Sequence, residues 1–260
     1  MSQVGTIGHV ARLRTQRLHS SLLRARPPLV SCIMPTCNRR ALVPQAIQYF
    51  LRQDYPNREL IVVDDGTDAI ADLIPSDHGI LYVRLAERRT IGAKRNIACQ
   101  AARGKIVVHW DDDDWMADWR LTYQVTELLR QQIGICGLDK LVYYDVQRDQ
   151  SWQYIYSAGR HPWVAGNTLC YWKILWAQNP FPDVNMPEEN FLWNNHPKSI
   201  VALQEVTFYV ALIHHGNVSP KRTHLTGWHV YPNSEVRQLL GEDWASYVNL
   251  RQLLYNTDGV

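Results

Sequence analysis

Four consecutive aspartates, Asp111 to Asp114, stand between Trp110 and Trp115 directly after the apolar run "KIVV". Carboxylates packed side by side repel one another, and at the end of a buried strand that repulsion is costly unless a cation arrives. A hard divalent ion, Mg²⁺ or Mn²⁺, takes oxygen ligands of this kind. The competing explanation is a solvated turn in which Asp114 or Asp118 caps the following helix. Other groups able to do chemistry are spread along the chain. Asp64 and Asp65 precede Gly66, whose missing Cβ permits a sharp turn. Lys94 and Arg95 lie near a helix start, where free backbone N–H groups and the helix dipole favour anions. Glu188 and Glu189 follow Pro187, and suit either the first turn of a helix or general-base work on a hydroxyl. His214 and His215 close an apolar stretch.

The elements that must position these groups alternate in type. "LVSCIM", "ELIVV", "ILYVRL" and "KIVVHW" read as strands, "ALVPQAIQYFLRQ", "TIGAKRNIACQAA" and "DWRLTYQVTELLRQQ" as helices with short connections. Pro44 falls in the first helical turn, where proline is tolerated. This alternation predicts a mostly parallel α/β sheet covered on both faces. Such sheets bind ligands beyond the carboxyl ends of their strands, where "PTCNRR", "DDGT" and "DDDD" all lie, so one cleft should collect them. The second half is less regular. "KLVYYDVQRDQSWQYIYSAG" reads as a hairpin, "ALQEVTFYVALIHH" as later strand material, and "SEVRQLLGEDWASYVNLRQLL" as a closing helical segment.

The 260 residues are enough for one large α/β domain with additions. With a net charge of +2, the bulk balance does not call for a nucleic-acid partner. Charge is local instead. No acidic residue precedes Asp54, whereas Arg12, Arg14, Arg17, Arg24 and Arg26 do, a basic arm over residues 1–28 that would be a frayed tail or a weak peripheral grip on an anionic membrane surface. Five cysteines without CxxC pairing suit a reduced, cytoplasmic protein. No secretory leader is expected, because the arm lacks an apolar core, and no run of about 18 apolar residues could span a bilayer. Ten tryptophans and thirteen tyrosines hint at a carbohydrate ligand. Neither G-x-G-x-x-G nor G-x-x-x-x-G-K-[ST] is present, which argues against dinucleotide oxidoreductases and phosphate-loop nucleotidases.

Taken in order, "VSCIMPTCNRR", "ELIVVDDGT", "TIGAKRNIACQAARGKIVVHWDDDDW", "PEENFLW" and "HHGNVS" resemble the successive motifs of glycosyltransferase family 2 over about residues 29 to 220. The resemblance implies a Rossmann-like GT-A fold with an extra β-hairpin in an acceptor region, and metal-dependent, inverting transfer from a nucleotide sugar, by family habit a UDP-sugar. It divides the chain into a nucleotide-binding half at 29–133, an acceptor half at 134–220, and a helical appendage at 221–260. Pro35, Thr36, Asn38 and Arg39 then belong to a nucleoside-binding loop, with Cys37 where an aromatic is common, and Asp65 accepts a hydrogen bond from the base. Lys94 and Arg95 approach the pyrophosphate, and Asn96 holds the loop. Asp113 coordinates Mn²⁺ or Mg²⁺, with Asp111 and Asp112 near metal and ribose. Glu189, or else Glu188, is the base, with Glu-Glu replacing the family's Glu-Asp. His214 or His215 approaches the metal, beside Asn217. Leu212 replaces an expected arginine, whose phosphate contact is either missing or moved to Lys221 or Arg222. Trp163, Trp172 and Trp193 are candidates for the acceptor side. The acceptor, be it a glycan, a lipid-linked intermediate, a peptide or a small metabolite, is left open. A non-catalytic nucleotide-sugar or glycan-binding module is the alternative.

Overall fold

The computed structural model describes residues 27–76, 78–156 and 161–255; nearly all of the basic arm, and with it the inferred membrane grip, lies outside the described residues. The first strand, β1 (Val30–Thr36), leads to α1 (Val43–Leu51), which carries its proline in the first turn and buries Val43, Ala46, Ile47, Tyr49 and Phe50. Then come β2 (Arg58–Asp64), β3 (Ile80–Arg84) and α2 (Ile91–Ala101), whose N-cap Thr90 accepts from the Ala93 N–H. After β4 (Ile106–His109), the aspartates, and the two-residue β5 (Trp115–Met116), α3 (Arg120–Arg130) follows. The second half holds β6 (Ile135–Gly137), the hairpin β7 (Lys140–Asp145) and β8 (Gln150–Ile155), β9 (Cys170–Trp172), α4 (Lys173–Gln178) and α5 (Glu188–Asn194). It closes with β10 (Ile200–Ala202), β11 (Tyr209–Ile213), β12 (Trp228–Tyr231), α6 (Asn233–Leu240) and α7 (Trp244–Tyr255).

Seven strands form one sheet in the order β10-β6-β9-β4-β1-β2-β3. All its pairings are parallel except those of β9 with β4 and β6. The sheet is buried on both faces, so its central strands are apolar over consecutive positions, as in Cys32–Met34, Leu60–Val63 and Ile106–Val108, rather than at alternate ones. Val30, Cys32 and Met34 pack toward α1 and α3, whereas Ile33, with Ile61, Val63 and Val107, packs toward α2. From β3 the chain crosses back past β1 to β4, so the strand order reverses between β1 and β4. A crevice opens at such a point, and the carboxyl ends of β1, β2 and β4 bound it.

A second sheet, β12-β8-β7-β11-β5, has the expected hairpin near its centre. The aspartates carry the chain from β4 in the first sheet to β5 in the second, so this short loop is held at both ends. Two features differ from the sequence expectation. Strands β6, β9 and β10 of the second half complete the first sheet, so the two halves share it. The presumed appendage begins with a strand paired to β8, and its helical run breaks at Gly241, whose φ of 55° is easily reached only by glycine. Val236, Leu240, Tyr247 and Leu250 from those two helices lie in the main core, and the Tyr247 hydroxyl meets that of Tyr49 at 3.1 Å.

Gly92, in the first turn of α2, donates its N–H to the Val184 carbonyl, and a Cβ there would fall 1.9 Å from the Pro182 oxygen. Helix propensity alone would make Gly92→Ala stabilising by about 1 kcal/mol. The clash with backbone reverses the sign, and urea unfolding should show a loss of about 1–3 kcal/mol.

Candidate functional site

The crevice is a cleft of about 660 Å³ whose lining includes Thr36, Arg39, Lys94, Arg95, all four aspartates and both glutamates. The aspartates share a loop but not a role. Asp112 turns back toward β1, accepting from the Thr36 hydroxyl at 2.6 Å and lying 3.4 Å from Arg39 Nη1. Asp113 Oδ2 receives Arg39 Nη1 at 2.5 Å and His214 Nε2 at 2.9 Å, with Asn217 Nδ2 at 3.4 Å. Asp111 is the most open of the three, its side chain 28% exposed, with Arg95 Nη2 at 3.4 Å. Asp114 points inward, where Tyr209 OH (2.6 Å), Asn167 Nδ2 (3.0 Å) and the Leu212 N–H (2.8 Å) use both its oxygens. It therefore pins β11 to the loop and caps no helix, since Trp119 occupies the N-cap of α3 without a side-chain bond.

Carboxylate oxygens of Asp111, Asp113 and Asp114 lie within 4.8 Å of one another. An oxygen-rich set of this size fits a hard divalent cation, with Asp111 and Asp113 as its accessible members and His214 alongside. The histidine is placed by its neighbours, as Asn217 Oδ1 accepts from its backbone N–H and the Gly216 N–H donates to its Nδ1. His215 is exposed.

Several residues expected at the nucleotide brace the loops that border the cleft. Asn38 has a left-handed φ of 52° and its Oδ1 accepts from the N–H groups of Thr67 and Asp68, joining the loops after β1 and β2. It does not line the cleft. The Asp65 carboxylate is covered, taking Lys94 Nζ at 2.8 Å and the Arg89 N–H at 2.7 Å, so it presents no free edge to a base as placed. Lys94 also donates to the Thr36 carbonyl, and thus ties α2 to the ends of β1 and β2. Burial explains why both are paired, since either charge alone would be left desolvated. Asn96 does hold a loop, through the Phe181 N–H and carbonyl and the Trp176 indole.

Arg95 is buried between Asp111 and Glu188, joining the acidic loop to α5. The two glutamates are thereby separated in character. Glu188 is engaged by Arg95 and packed over Gly166, whereas Glu189 is exposed at the cleft. Among the tryptophans, Trp163 lines the cleft, Trp172 bonds the Ile133 carbonyl and packs on the core, and Trp193 is 68% exposed, stacked on His161 at 5.1 Å. Leu212 and Lys221 line the cleft and Arg222 does not. Sequence reasoning missed Arg88 and Arg89, which also line it; the adjacent pair just before the Thr90 cap was the available signal. It also missed Arg120, fully buried, donating to the His109 carbonyl and lying over the Trp110 and Tyr209 rings. An arginine in an amphipathic helix carries no mark of burial.

Burial pushes Asp112 up to about 6, against the pull of Arg39. Asp111 and Asp114 are raised too, by burial and by neighbouring carboxylates. For Asp113 burial acts in the same direction but is outweighed by the His214 hydrogen bond and the Arg39 charge, which hold it well below the usual carboxylate range. Asp65 is lowered likewise, burial being outweighed by the Arg89 N–H and Lys94.

A family model described as glycosyl transferase family 2 matches residues 31–181. An uncharacterized glycosyltransferase of Haemophilus influenzae is 32% identical over 111 residues, 41% of this chain and 44% of that protein. The chain spans less than half the length of the curated relatives it matches. Among solved structures, S. aureus TarS 1–349 in complex with UDP-GlcNAc superposes with a TM-score of 0.57 at 17% identity, over 89% of this chain and 74% of that one. Mannosyltransferase PcManGT from Pyrobaculum calidifontis, in complex with GDP-Man and Mn²⁺, gives 0.55 at 18%, over 99% and 87%. These two likenesses show the fold, the GT-A arrangement.

The raised Asp112 has a consequence for stability. A carboxyl that holds its proton more tightly when folded favours the fold as pH falls through about 6, and the gain is complete once pH is below the unfolded value of 3.8. Asp113 and Asp65 act oppositely, but only below 3.8. His109, kept neutral by burial, disfavours the fold below 6.5 and is common to wild type and variant. Thermal unfolding of Asp112→Asn beside wild type tests this: from pH 7.5 to 5 the wild type should gain about 1 kcal/mol relative to the variant, roughly 2–4 °C.

Proposed function

The chain belongs to glycosyl transferase family 2, and we propose that it is an inverting, divalent-cation-dependent enzyme that moves a sugar from a UDP-linked donor to an acceptor hydroxyl. The observation that carries this reading is a single cleft shared by the acidic loop and an exposed glutamate, Glu189. Asp111, Asp113 and His214 would hold the cation, Mn²⁺ or Mg²⁺. When bound, such an ion supplies positive charge to the diphosphate as it leaves.

The remaining roles fall to the chain's own side chains. Arg39, Arg88, Arg89 and Lys221 give the cleft the positive lining that a diphosphate needs. Glu189 accepts the proton of the attacking hydroxyl, since it is exposed and Glu188 is held by Arg95. Asp65, Asn38 and Lys94 keep the loops after β1 and β2 in register, leaving Pro35, Thr36 and Cys37 to meet the nucleoside. Trp163, Met186 and the exposed Trp193 are the candidates for the acceptor side. Nucleotide-sugar complexes of TarS and PcManGT, which share the fold, favour a donor of that class.

Thermal-shift titrations with UDP-GlcNAc, UDP-glucose and GDP-mannose, with Mn²⁺ and with EDTA, test the donor and the cation together. A ligand that binds only the folded chain must raise the apparent melting temperature, and a donor-dependent rise that EDTA removes is expected. Asp113→Ala should lose both that rise and donor turnover while remaining folded. Glu189→Gln should keep the rise and lower transfer about 10²–10⁴-fold, whereas Glu188→Gln should chiefly cost stability, about 3 kcal/mol, by stripping Arg95 of a partner. Binding without turnover in the wild type would instead indicate a nucleotide-sugar-binding module.

A further inference from the structure

Arg39 stands where the acidic cluster would meet its cation. Its Nη1 lies 2.5 Å from Asp113 Oδ2, 3.4 Å from Asp112 Oδ1 and 3.3 Å from His214 Nε2, and its Nη2 donates to the Gly216 carbonyl. With His214 and Asn217 also directed at Asp113 Oδ2, that oxygen has three donors around it. The histidine is equally committed. Because the Gly216 N–H points at Nδ1, a neutral ring must carry its proton on Nε2, which then donates to Asp113 and has no lone pair to offer. Both atoms that a cation would take from this wall are therefore in use by protein partners.

The backbone of Arg39 is fixed by neighbouring loops, whereas its guanidinium is placed by side-chain contacts at the cleft. Its carbonyl accepts from the Leu42 and Val43 N–H groups at the start of α1, and the preceding Asn38 is braced against Thr67 and Asp68. The side chain, 14% exposed, carries the guanidinium to the aspartates on a four-bond stem and lies in the lining of the cleft. We propose that Arg39 is a displaceable internal counter-cation, a positioning residue that makes cation binding at Asp113 conditional on the donor's diphosphate. The inference rests on the cation-dependent transfer proposed above. A cation arriving alone must break the Arg39 contacts and leave a mostly buried guanidinium short of acceptors, which is unfavourable. A diphosphate in the same cleft supplies paired oxygens that match a guanidinium fork. The two ligands then assist one another, and linkage requires the assistance to be mutual. Loading a bare cation, which could promote nothing but idle chemistry, is disfavoured.

Mn²⁺ binding measured by electron paramagnetic resonance, with and without UDP or GDP, tests this in wild type and Arg39→Gln. Wild type should bind Mn²⁺ at least about tenfold more tightly with one of the nucleotides present. Arg39→Gln should bind Mn²⁺ alone about tenfold more tightly than wild type, and its enhancement by nucleotide should shrink in proportion. Circular dichroism checks the fold; if Arg39→Gln does not fold, Arg39→Lys decides, since it keeps the charge without the fork and should therefore show a smaller enhancement of Mn²⁺ binding by nucleotide than wild type. Equal or weaker Mn²⁺ binding in folded Arg39→Gln, or an undiminished enhancement in Arg39→Lys, overturns the proposal while leaving cation-dependent transfer standing. Failure of wild type to take up Mn²⁺ even with either nucleotide overturns both.

Discussion

The constraint on which this structure turns is the compensation of negative charge at one short loop. Four carboxylates follow one another where the chain leaves the first sheet for the second, so none can move far without disturbing a strand. Ionised side by side in a mostly buried place, they would oppose folding by several kcal/mol unless each found a partner. Each finds a different one. Asp111 faces Arg95, Asp112 the Thr36 hydroxyl, Asp113 Arg39 and His214, and Asp114 the Tyr209 hydroxyl with two nitrogen donors. These partners come from β1, the loop after it, α2, the turn before β9, and β11 with the residue after it, so the electrostatic demand of one loop draws together much of the architecture around the cleft.

The same logic explains why so many polar residues near the cleft are braces. A loop that presents charge to a ligand must itself be held, because a displacement of even 1 Å degrades the alignment that transfer reactions need. Lys94 with Asp65, Asn38 with the Thr67 and Asp68 amides, and Arg95 with Glu188 perform that holding from behind. Lys94 and Asp65 are buried as well as paired, which makes that brace rigid. Glu189, exposed one residue from the locked Glu188, is left to the solvent side of the cleft. Two adjacent residues of one type thus come to differ entirely in what they can do.

Much of this was legible in advance, and the exceptions share a cause. The alternation of apolar runs with amphipathic segments located β1 to β4 and the three helices among them, because strand and helix periods are written locally. The ordered motifs located the acidic loop, the glutamate pair and the histidine. What went astray were orientations and distant partnerships. Nothing local showed that Asn38 joins two loops or that Lys94 is buried on Asp65, and the segment after residue 220 looked appended yet supplies β12 and core residues such as Tyr247. In each case the partner lies far along the chain, from about 30 residues for Lys94 and Asp65 to nearly 200 for Tyr49 and Tyr247. No local pattern encodes such a meeting.

The sequence by itself therefore determined the kinds of groups available and the end of the sheet at which they collect, since residue chemistry and element period are properties of neighbouring positions. Only the tertiary structure decided which carboxylate faces a cation, which glutamate is tethered and which arginine answers the acidic loop. Those outcomes depend on burial and on pairing across the reversal in strand order. Both exist only once remote segments have packed, because desolvation is what converts a nearby charge from a weak neighbour into an obligatory partner.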